Sequence, residues 1–306
     1  MSPVIKLLET AILEKLRNHC EKSLSKQQVG FMRNMETKSN ILKIMNNYHL
    51  KFKNSDEKHW YWLFLDWVSA FDKLNREILY LDLTCFNPKE LEMLKTIHKN
   101  SRTKIGKEIF GSSKGVPQGS ILSPFLFDLY ADKLLVFLKE KGFNEMGSTS
   151  NKEDKKEIES AIYADDDLFV TKNEETLISI IETIYEWAEK YDMILNKKKS
   201  AIIRLTKRND RRTKPLDKTE YFGIPVVNEY KYLGVILTNK AKLSTMIKKI
   251  KIKSLFVIGK LYNICKKGSV KFRLNMFKVI IDPLFSYIGV FKQYLNKYEL
   301  KEVEQT

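Results

Sequence analysis

Two adjacent aspartates, Asp165 and Asp166, stand between two short apolar runs that have the composition of β-strands. One run ends at Ile162, and the other spans Leu168 to Val170. Neighbouring carboxylates repel each other, and each requires water or a cation. A tight hairpin turn that presents both to divalent metal would satisfy these requirements. A third carboxylate, Asp66, ends another apolar run far upstream, so the pattern predicts a site that joins nucleotides with two metal ions.

The charge balance favours a polyanionic partner. The 306 residues include 54 Lys and Arg against 38 Asp and Glu, a net charge of +16. Such an excess is typical of proteins that bind nucleic acid or an anionic membrane surface. A basic surface that only reflects a Lys-, Asn- and Ile-rich genome explains the composition about equally well. No stretch has the roughly 18 uncharged apolar residues that a membrane span needs, which weakens the membrane alternative.

The chain has three cysteines, which are far apart: Cys20, Cys85 and Cys265. An odd number at this spacing fits neither a metal site nor a disulfide framework, so we expect core thiols and an intracellular location. The N-terminus carries Glu9 and Glu14 among its apolar residues, which makes it a poor secretory signal. The basic run between Lys207 and Lys214 fits a nuclear signal and a phosphate-binding loop equally, so nucleus and cytoplasm stay open.

Periodicity predicts the order of elements in the centre of the chain. The expected elements are a strand at 61–65, helices at 73–82 and 90–98, a short strand at 107–110, a helix from 123 to 142, a surface loop at 142–160, the aspartate hairpin, a helix capped by Asn173 and a strand at 201–203. Ser123 is the expected N-cap of its helix, with Pro124 at the first helical position. Strand, helix, hairpin, helix and strand make a split βαβ, ferredoxin-like plan, which would bring Asp66 and the hairpin turn to the same region of one sheet.

The last third of the chain has a different pattern. A polar loop is expected at 207–220, followed by a β-hairpin from Tyr230 to Thr238 around Gly234. A basic helix comes next, with one apolar face: Leu243, Met246, Ile247, Ile250, Val257, Ile258 and Leu261. Its lysines project elsewhere, which suits a nucleic-acid duplex, although a solvated helix face is the commoner meaning of such a pattern.

Several strings occur in the order of one family's motifs. They are QQVGFMRNMETKSNI (27–41), DWVSAFD (66–72), KGVPQGSILSP (114–124), YADD (163–166), ILNKKKSAII (194–203), EYKYLGVIL (229–237) and DPLFSYIGVF (282–291). Any one of them could arise by chance, but the ordered series over most of the chain is specific. The chain resembles reverse transcriptases, most of all those of non-LTR retrotransposons, with group II intron enzymes as near relatives.

The resemblance implies an α+β fold, a right-hand polymerase with a ferredoxin-like (split βαβ) palm, helical fingers and a helical thumb. The implied domains are fingers at 1–59 and 86–113, palm at 60–85 and, with the primer-grip hairpin, at 114–240, and thumb at 241–306. The implied partners are an RNA template, a DNA primer and deoxynucleoside triphosphates (dNTPs), without a membrane. Protein partners are not predicted.

The resemblance also implies three metal ligands, Asp66, Asp165 and Asp166. Two Mg²⁺ ions, for which Mn²⁺ could substitute, would activate the primer 3′-hydroxyl and neutralise charge on the triphosphate. Because Mg²⁺ takes hard oxygen ligands and keeps some waters, two or three carboxylates suffice. Each aspartate taken alone is better explained as a turn or cap residue, and only the set favours the metal site.

Four further residues have implied roles around the substrate. Phe71, the fifth residue after Asp66, would be a steric gate that leaves no room for a ribose 2′-hydroxyl, with a core aromatic as the alternative. Gln118 and Gly119 would lie near the incoming nucleotide and the templating base, unless they form a simple loop into a helix. Arg33 would approach the triphosphate, and a surface arginine is nearly as well supported.

The remaining implied roles concern proton delivery and the primer. Lys199 matches the motif lysine that would help to deliver a proton to the departing pyrophosphate. Lys197 and Lys198 precede it directly, so a solvated basic edge is a fair alternative. Tyr232, Leu233 and Gly234 would hold the primer terminus.

Some features depart from the family pattern or leave rivals open. Ser2-Pro3 stands where arginine–proline is usual, so a triphosphate contact could be missing. Asp167 adds a further carboxylate, which we interpret as an exposed turn residue. No endonuclease domain, zinc knuckle or RNase H-like extension is visible in the sequence. The rivals are an RNA-templated RNA polymerase, which Phe71 argues against, and a catalytically idle RNA-binding or maturase-like scaffold, which the three carboxylates argue against.

Overall fold

A computed structural model of the chain describes residues 3–55, 59–84, 86–146, 156–207, 218–295 and 297–304. Cys85, the centre of the expected loop at 142–160 and residues 208–217 of the expected polar loop lie outside these ranges. The chain divides into two compact units. Unit 1 comprises Met1–Asn40, His59–Arg204 and Lys214–Val227, and unit 2 comprises Ile41–Lys58, Leu205–Thr213 and Asn228–Thr306.

Helices and strands are mixed along the chain. The helices are α1 (Pro3–Cys20), α2 (Thr37–Asn46), α3 (Ala70–Lys73), α4 (Arg76–Asp82), α5 (Pro88–Asn100), α6 (Ser123–Glu140), α7 (Glu174–Lys190), α8 (Ser244–Cys265), α9 (Val270–Met276), α10 (Asp282–Gly289) and α11 (Lys297–Glu304). Short π-helical segments lie at Asn47–Phe52 and Phe277–Ile281, and a 3₁₀ turn lies at Lys292–Tyr294. The strands are β1 (Tyr61–Leu65), β2 (Arg102–Ile105), β3 (Glu108–Gly111), β4 (Phe143–Glu145), β5 (Lys156–Tyr163), β6 (Asp166–Thr171), β7 (Ala201–Arg204), β8 (Glu220–Tyr221), β9 (Ile224–Pro225), β10 (Glu229–Tyr232) and β11 (Val235–Thr238).

The central sheet of unit 1 has the strand order β4-β5-β6-β1-β7. Strands β5, β6, β1 and β7 pair antiparallel, whereas the short β4 runs parallel to β5 at the edge. Without β4, the connection β1–α6–β5–β6–α7–β7 has the strand order of a split βαβ sheet. The predicted sheet topology is therefore confirmed, and β4 is an addition that the sequence did not predict.

Strand β1 is buried along its whole length. Each residue from Tyr61 to Leu65 is at most 6% exposed. Successive side chains of a strand point to opposite faces, so both faces of the sheet are covered at β1. On one face, Leu63 and Phe169 join Leu177 and Ile180 of α7 in the main core cluster. The continuous apolar composition of β1 reflects this double cover.

The starts of α6 and α7 test two cap predictions. The Asn173 side chain accepts a hydrogen bond from the Thr176 N–H at 2.7 Å, which confirms it as the cap of α7. Ser123 is not an N-cap, because it is already the first residue of α6. Its hydroxyl donates to the Pro117 carbonyl at 2.7 Å instead, and this bond fastens the preceding loop to the helix.

The predicted loop at 142–160 is wrong at both ends. Phe143–Glu145 forms β4, and Lys156–Tyr163 forms β5, so the strand of the aspartate hairpin begins within the expected loop. The charged start of β5 hides its strand character in the sequence. The short strand expected at 107–110 is confirmed as β3, which pairs with β2. Cys20 and Cys265 are half-buried, not core residues as predicted.

Unit 2 contains the second predicted hairpin. Strands β10 and β11 pair up to Tyr232 and Val235, so the turn consists of Leu233 and Gly234. Both turn residues have positive φ, 44° and 83°, as a type I′ turn requires. The Tyr287 hydroxyl of α10 donates to the Leu233 carbonyl at 2.7 Å and anchors the turn.

The predicted basic helix is confirmed as α8, but only the first part of its apolar face is buried. Leu243, Met246 and Ile247 are each at most 5% exposed, whereas Ile258 is 45% exposed. Among the residues that the structure describes, no helix combines the length and apolar character needed to cross a membrane.

Candidate active site

The β5–β6 hairpin presents Asp165 and Asp166 at the end of the sheet. Tyr163 pairs with Asp166, so the turn consists of Ala164 and Asp165. Ala164 has a φ of 55°, a conformation that is strained for a residue with a side chain. Asp165 is half-buried and Asp166 is exposed, so this strained turn brings both carboxylates out at the end of the hairpin.

Asp66 reaches the same end of the sheet. Strand β1 pairs with β6 up to Leu65 and Asp167, which places Asp66 one step further along, opposite Asp166. Residues opposite each other on antiparallel strands share a face of the sheet. Asp66 and Asp166 are therefore neighbours at the ends of two adjacent strands.

The backbone of Asp66 is also bonded to the loop before β7. Its N–H donates to the Ser200 hydroxyl at 3.0 Å, and its carbonyl accepts from the Asn196 N–H at 2.8 Å. These two bonds tie the loop that carries Lys199 to the strand end that carries the first carboxylate.

The charges of the three aspartates act on one another. Burial raises the pKa of Asp165, a backbone hydrogen bond opposes this, and the charge of Asp66 raises the pKa further. Removal of water, followed by the charges of Asp165 and Asp66, raises the pKa of Asp166 to about 6. The structure thus brings the three residues within electrostatic range, where a cation would relieve their repulsion.

The donor chemistry of this group fits Mg²⁺. Carboxylate oxygens are the ligands that Mg²⁺ prefers, and divalent ions remove the conflict between like charges. Within the described part of the chain, no three His, Cys, Asp or Glu side chains are already arranged to hold a metal ion. The carboxylates would have to turn towards a shared ion, so their role as metal ligands stays a prediction.

Asp167 is not the exposed turn residue that the sequence suggested. It is 3% exposed, and the Trp67 indole N–H donates to its Oδ2 at 2.8 Å. Burial raises the pKa of Asp167 to about 7 against the Trp67 bond, and the charges of Asp165 and Asp166 add to the rise. Because side chains alternate along β6, Asp167 points away from the face of Asp166 and serves as a buried partner of Trp67.

Phe71 lies in α3, shortly after the end of β1. It is half-buried and packs against the main core, with its ring stacked on Phe127 at 4.3 Å between centroids. A partly open ring is compatible with both sequence interpretations, the gate and the core aromatic.

The loop before α6 is fastened to the Phe71 segment. The Phe71 carbonyl accepts from the Val116 N–H at 2.8 Å, and the Leu74 carbonyl accepts from the Gly115 N–H at 2.7 Å. A Cβ on Gly115 would lie 2.4 Å from the Asp72 carbonyl oxygen, so only glycine permits this approach.

Gln118 and Gly119 follow in the same loop, and both are exposed. Gln118 lines a cleft of about 800 Å³ together with Asp72, Arg102 and Lys114. The lining combines these charged side chains with apolar ones such as Phe110 and Val116, so the chemical character of the cleft is mixed.

The other predicted residues are more dispersed. Arg33 and Lys199 are exposed on unit 1, which distinguishes neither proposed role from an ordinary surface position. The primer-grip residues belong to unit 2. Tyr232 is buried there, while Leu233 and Gly234 form the type I′ turn.

Sequence reasoning missed one residue that contacts the aspartate turn. The buried Gln28 accepts a hydrogen bond from the Ala164 N–H at 3.2 Å. The only sequence signal is its place in the QQVG string, two residues before Gly30.

Comparison with known proteins identifies the family. The family model for reverse transcriptase (RNA-dependent DNA polymerase) matches residues 1–237, which is most of the chain and includes all three aspartates. The chain belongs to the reverse transcriptase family. Its resemblance to this family, predicted from the ordered motifs, is confirmed.

Named relatives of this reverse transcriptase are mobile-element enzymes. The RNA-directed DNA polymerase from mobile element jockey of Drosophila melanogaster is 24% identical over 98% of this chain and 34% of its own length. The retrovirus-related Pol polyprotein from type-1 retrotransposable element R2 of Popillia japonica is 32% identical over 40% of this chain and 17% of its own length. The chain thus spans about a third of the length of the jockey relatives.

Solved structures show the same fold. Apo telomerase from Candida tropicalis matches 97% of this chain and 57% of its own, with a TM-score of 0.54 and 14% identity. A second telomerase structure from that organism, truncated from the C-terminal domain, matches 77% of this chain and 44% of its own, with a TM-score of 0.53 and 15% identity. At these identities the likeness shows the fold alone. A reverse transcriptase fold of mixed α and β content is confirmed.

Proposed function

We propose that this reverse transcriptase chain extends a DNA primer on an RNA template with dNTPs. The observation that carries the proposal is the meeting of Asp66, Asp165 and Asp166 at one end of the sheet, in a chain of this family. The net charge of +16 supports a nucleic-acid partner. Because the chain spans about a third of its jockey relatives, their complete activities and partners are not transferred to it.

The three aspartates would hold two Mg²⁺ ions, with Mn²⁺ as a substitute. When bound, such ions make a 3′-hydroxyl more acidic and neutralise charge on a triphosphate. Lys199 would deliver a proton to the departing pyrophosphate from the loop bonded to Asp66. Arg33 would contact the triphosphate.

The residues around the sugar and the template have separate roles in the proposal. Phe71 would exclude a 2′-hydroxyl, with its ring supported by Phe127. Gln118 and Gly119 would lie against the templating base and the incoming nucleotide. In support, Gln118 lines a cleft that also contains Arg102 and Lys114, whose positive charges suit a phosphate backbone.

The polymerase subdomains are part of the same proposal. Residues 60–85 and 114–240, which contain the split βαβ sheet, would be the palm, residues 1–59 and 86–113 the fingers, and residues 241–306 the thumb. The β10–β11 hairpin would hold the primer terminus through Tyr232, Leu233 and Gly234. Its anchoring by Tyr287 supports a fixed turn at that point.

A primer-extension assay tests the function. The chain is given a homopolymer RNA template, a DNA primer and the matching dNTP, with and without Mg²⁺. We expect extension only with Mg²⁺, and little extension when the ribonucleotide replaces the dNTP. Template binding without incorporation would reject the polymerase proposal in favour of an RNA-binding scaffold.

A single substitution tests the gate. Phe71→Ala opens space beneath the sugar, so ribonucleotide incorporation should rise by about one to two orders of magnitude relative to dNTP incorporation. Phe127→Leu, which changes only the supporting ring, is the matched control and should shift this ratio less. An unchanged ratio in Phe71→Ala would assign Phe71 to the core alone.

A further inference from the structure

An upstream segment runs beside the end of β5. The Val29 N–H donates to the Ile162 carbonyl at 3.0 Å, and the Ile162 N–H donates to the Gln27 carbonyl at 3.0 Å. Gln28 and Ile162 form a parallel bridge. The segment therefore pairs with β5 through a single bridge residue, beyond the part of β5 that pairs with β4 and immediately before the aspartate turn.

The side chain of Gln28 extends this contact to the turn itself. Gln28 is 2% exposed, and its Oε1 accepts from the Gly30 N–H at 3.0 Å and from the Ala164 N–H at 3.2 Å. Ala164 is the strained residue of the turn, with a φ of 55°. The Gln28 Oε1 thus accepts the backbone N–H of the residue in the turn that has a positive φ.

Gly30 brings the upstream backbone against the turn. A Cβ at this position would lie 2.4 Å from the Ala164 nitrogen and 3.1 Å from its Cα. No side chain fits between the two backbones, so the turn rests directly on the upstream segment.

The other end of the Gln28 amide shows why a polar residue is present. Its Nε2 is buried and has no hydrogen-bond partner in the described part of the chain. A buried donor without a partner is unfavourable, and an apolar side chain of the same size would avoid it. The acceptor oxygen must therefore provide the advantage of glutamine here.

We propose that Gln28 is a positioning residue for the metal-binding turn. By accepting the Ala164 N–H, it fixes the backbone from which Asp165 and Asp166 reach the metal ions. The inference rests on the proposed function, since it requires these aspartates to bind divalent ions. Gln28 acts through the turn and touches no reacting atom. The need is physical, because the carboxylates must gather around an ion against their mutual repulsion.

The test distinguishes the effect of the acceptor oxygen of Gln28 from the effect of the size of its side chain. Gln28→Met keeps the length but removes the acceptor, while Gln28→Glu keeps an acceptor oxygen. Gln27→Met is the matched control, because it makes the same change one residue away and leaves the main-chain bond to Ile162 in place. Mn²⁺ is the probe, and its binding is followed through the electron paramagnetic resonance signal of the free ion. Hydrogen exchange of a peptide spanning 162–166 reports on the Ala164 N–H.

We expect Gln28→Met to weaken Mn²⁺ binding about 10-fold, the effect typical of partners that orient metal ligands, and to speed exchange at Ala164. Gln28→Glu should keep exchange at Ala164 slow, and Gln27→Met should remain near the wild type in both measurements. Faster exchange with unchanged Mn²⁺ affinity would overturn the proposal, because the bond would then be structural only. If Gln28→Met does not fold, Gln28→Asn replaces it, since its shorter side chain withdraws the oxygen, and the same loss is expected.

Failure of the proposed function has a different signature. The wild type would then bind Mn²⁺ no better than a variant with both Asp165→Asn and Asp166→Asn, while exchange at Ala164 stayed slow. That outcome rejects the metal site itself. Equal, tight Mn²⁺ binding by the wild type and Gln28→Met, with weak binding by the double variant, rejects only the positioning role.

Discussion

Unit 1 contains two crowded groups of carboxyl side chains in different parts of the fold. Asp66, Asp165 and Asp166 lie at the ends of neighbouring strands, beside loops. Asp128 and Asp132 lie one helical turn apart on α6, at 0% and 7% exposure. In the first group Asp166 is exposed at the end of the hairpin, whereas both carboxyl groups of the second are buried.

Each group contains two carboxyl groups whose pKa is raised by burial, Asp165 and Asp166 in the first and Asp128 and Asp132 in the second. Burial, then the charge of Asp132, raises the pKa of Asp128 to about 8, while Arg17 opposes the rise. Burial also raises the pKa of Asp132, against its hydrogen bonds from Ser25. Neither carboxyl oxygen of Asp128 has a hydrogen-bond partner among the described residues. A raised pKa therefore does not identify a functional carboxyl by itself, and position in the fold must be added to it.

The largest expected difference between the groups is in catalysis. Asp165→Asn or Asp166→Asn removes a proposed metal ligand, so single-nucleotide incorporation should fall about 10³-fold or more. Asp128→Asn makes the same chemical change in the core and should lower incorporation less than about 3-fold, since it touches no proposed substrate contact. Template affinity, measured separately, should stay near the wild type in all three variants. An Asp128→Asn variant as inactive as Asp166→Asn would break the comparison.

The next effect concerns stability and pH. The pKa of Asp128 is raised from 3.8 to about 8 on folding, so the folded state binds this proton more tightly than the unfolded chain. Its contribution to stability is present below the unfolded pKa and is lost as pH rises towards the folded pKa. The free energy of unfolding of the wild type, measured in urea, should therefore fall between about pH 5 and about pH 8. Relative to Asp128→Asn, the expected fall is about 1–3 kcal/mol.

A surface variant provides the control for this pH effect. Asp192 is exposed and pairs with Lys114, so Asp192→Asn should leave the pH dependence of unfolding close to that of the wild type. If Asp128→Asn also gave a curve parallel to the wild type, the buried carboxyl would not titrate as its surroundings require.

The smallest expected effect is the coupling between Arg17 and Asp128. The Arg17 guanidinium favours the charged form of Asp128, and its Nε is buried without a hydrogen-bond partner among the described residues. A double-mutant cycle with Arg17→Met and Asp128→Asn, measured on the free energy of unfolding, should give a coupling energy of about 0.5–1 kcal/mol near pH 8. Near pH 5 the coupling energy should be almost zero. Equal coupling at both pH values would show that packing, not charge, links the two residues.

Local patterns in the sequence predict much of the sheet. The aspartate hairpin, the Asn173 cap of α7 and the position of Asp66 at a strand end are each encoded within a few neighbouring residues. Ser123 shows how a local signal can mislead. A serine before proline is typical of an N-cap. Here the Ser123 hydroxyl donates to the Pro117 carbonyl in the preceding loop, and the helix begins at Ser123 itself.

Two further errors arise where partners are distant in the chain. Asp167 was misassigned because β6 is buried on both faces, which removes the polar–apolar alternation, and because Trp67 lies 100 residues upstream. Gln28 was missed since its partner Ala164 lies 136 residues away and a glutamine in a polar string gives no sign of burial. Contacts of this kind depend on the assembled sheet and cannot be derived from periodicity.

The close approach of Gly115 to the Asp72 backbone has a practical consequence for redesign. A side chain at this position would force apart the loop that carries Gln118 and the helix that carries Phe71, so the two are joined as one piece. On the proposed function, an enzyme evolved to accept a new sugar will also change how the copied base is read. Tolerance for a new sugar and accuracy of copying should therefore change together. A selection for one of these properties will also alter the other.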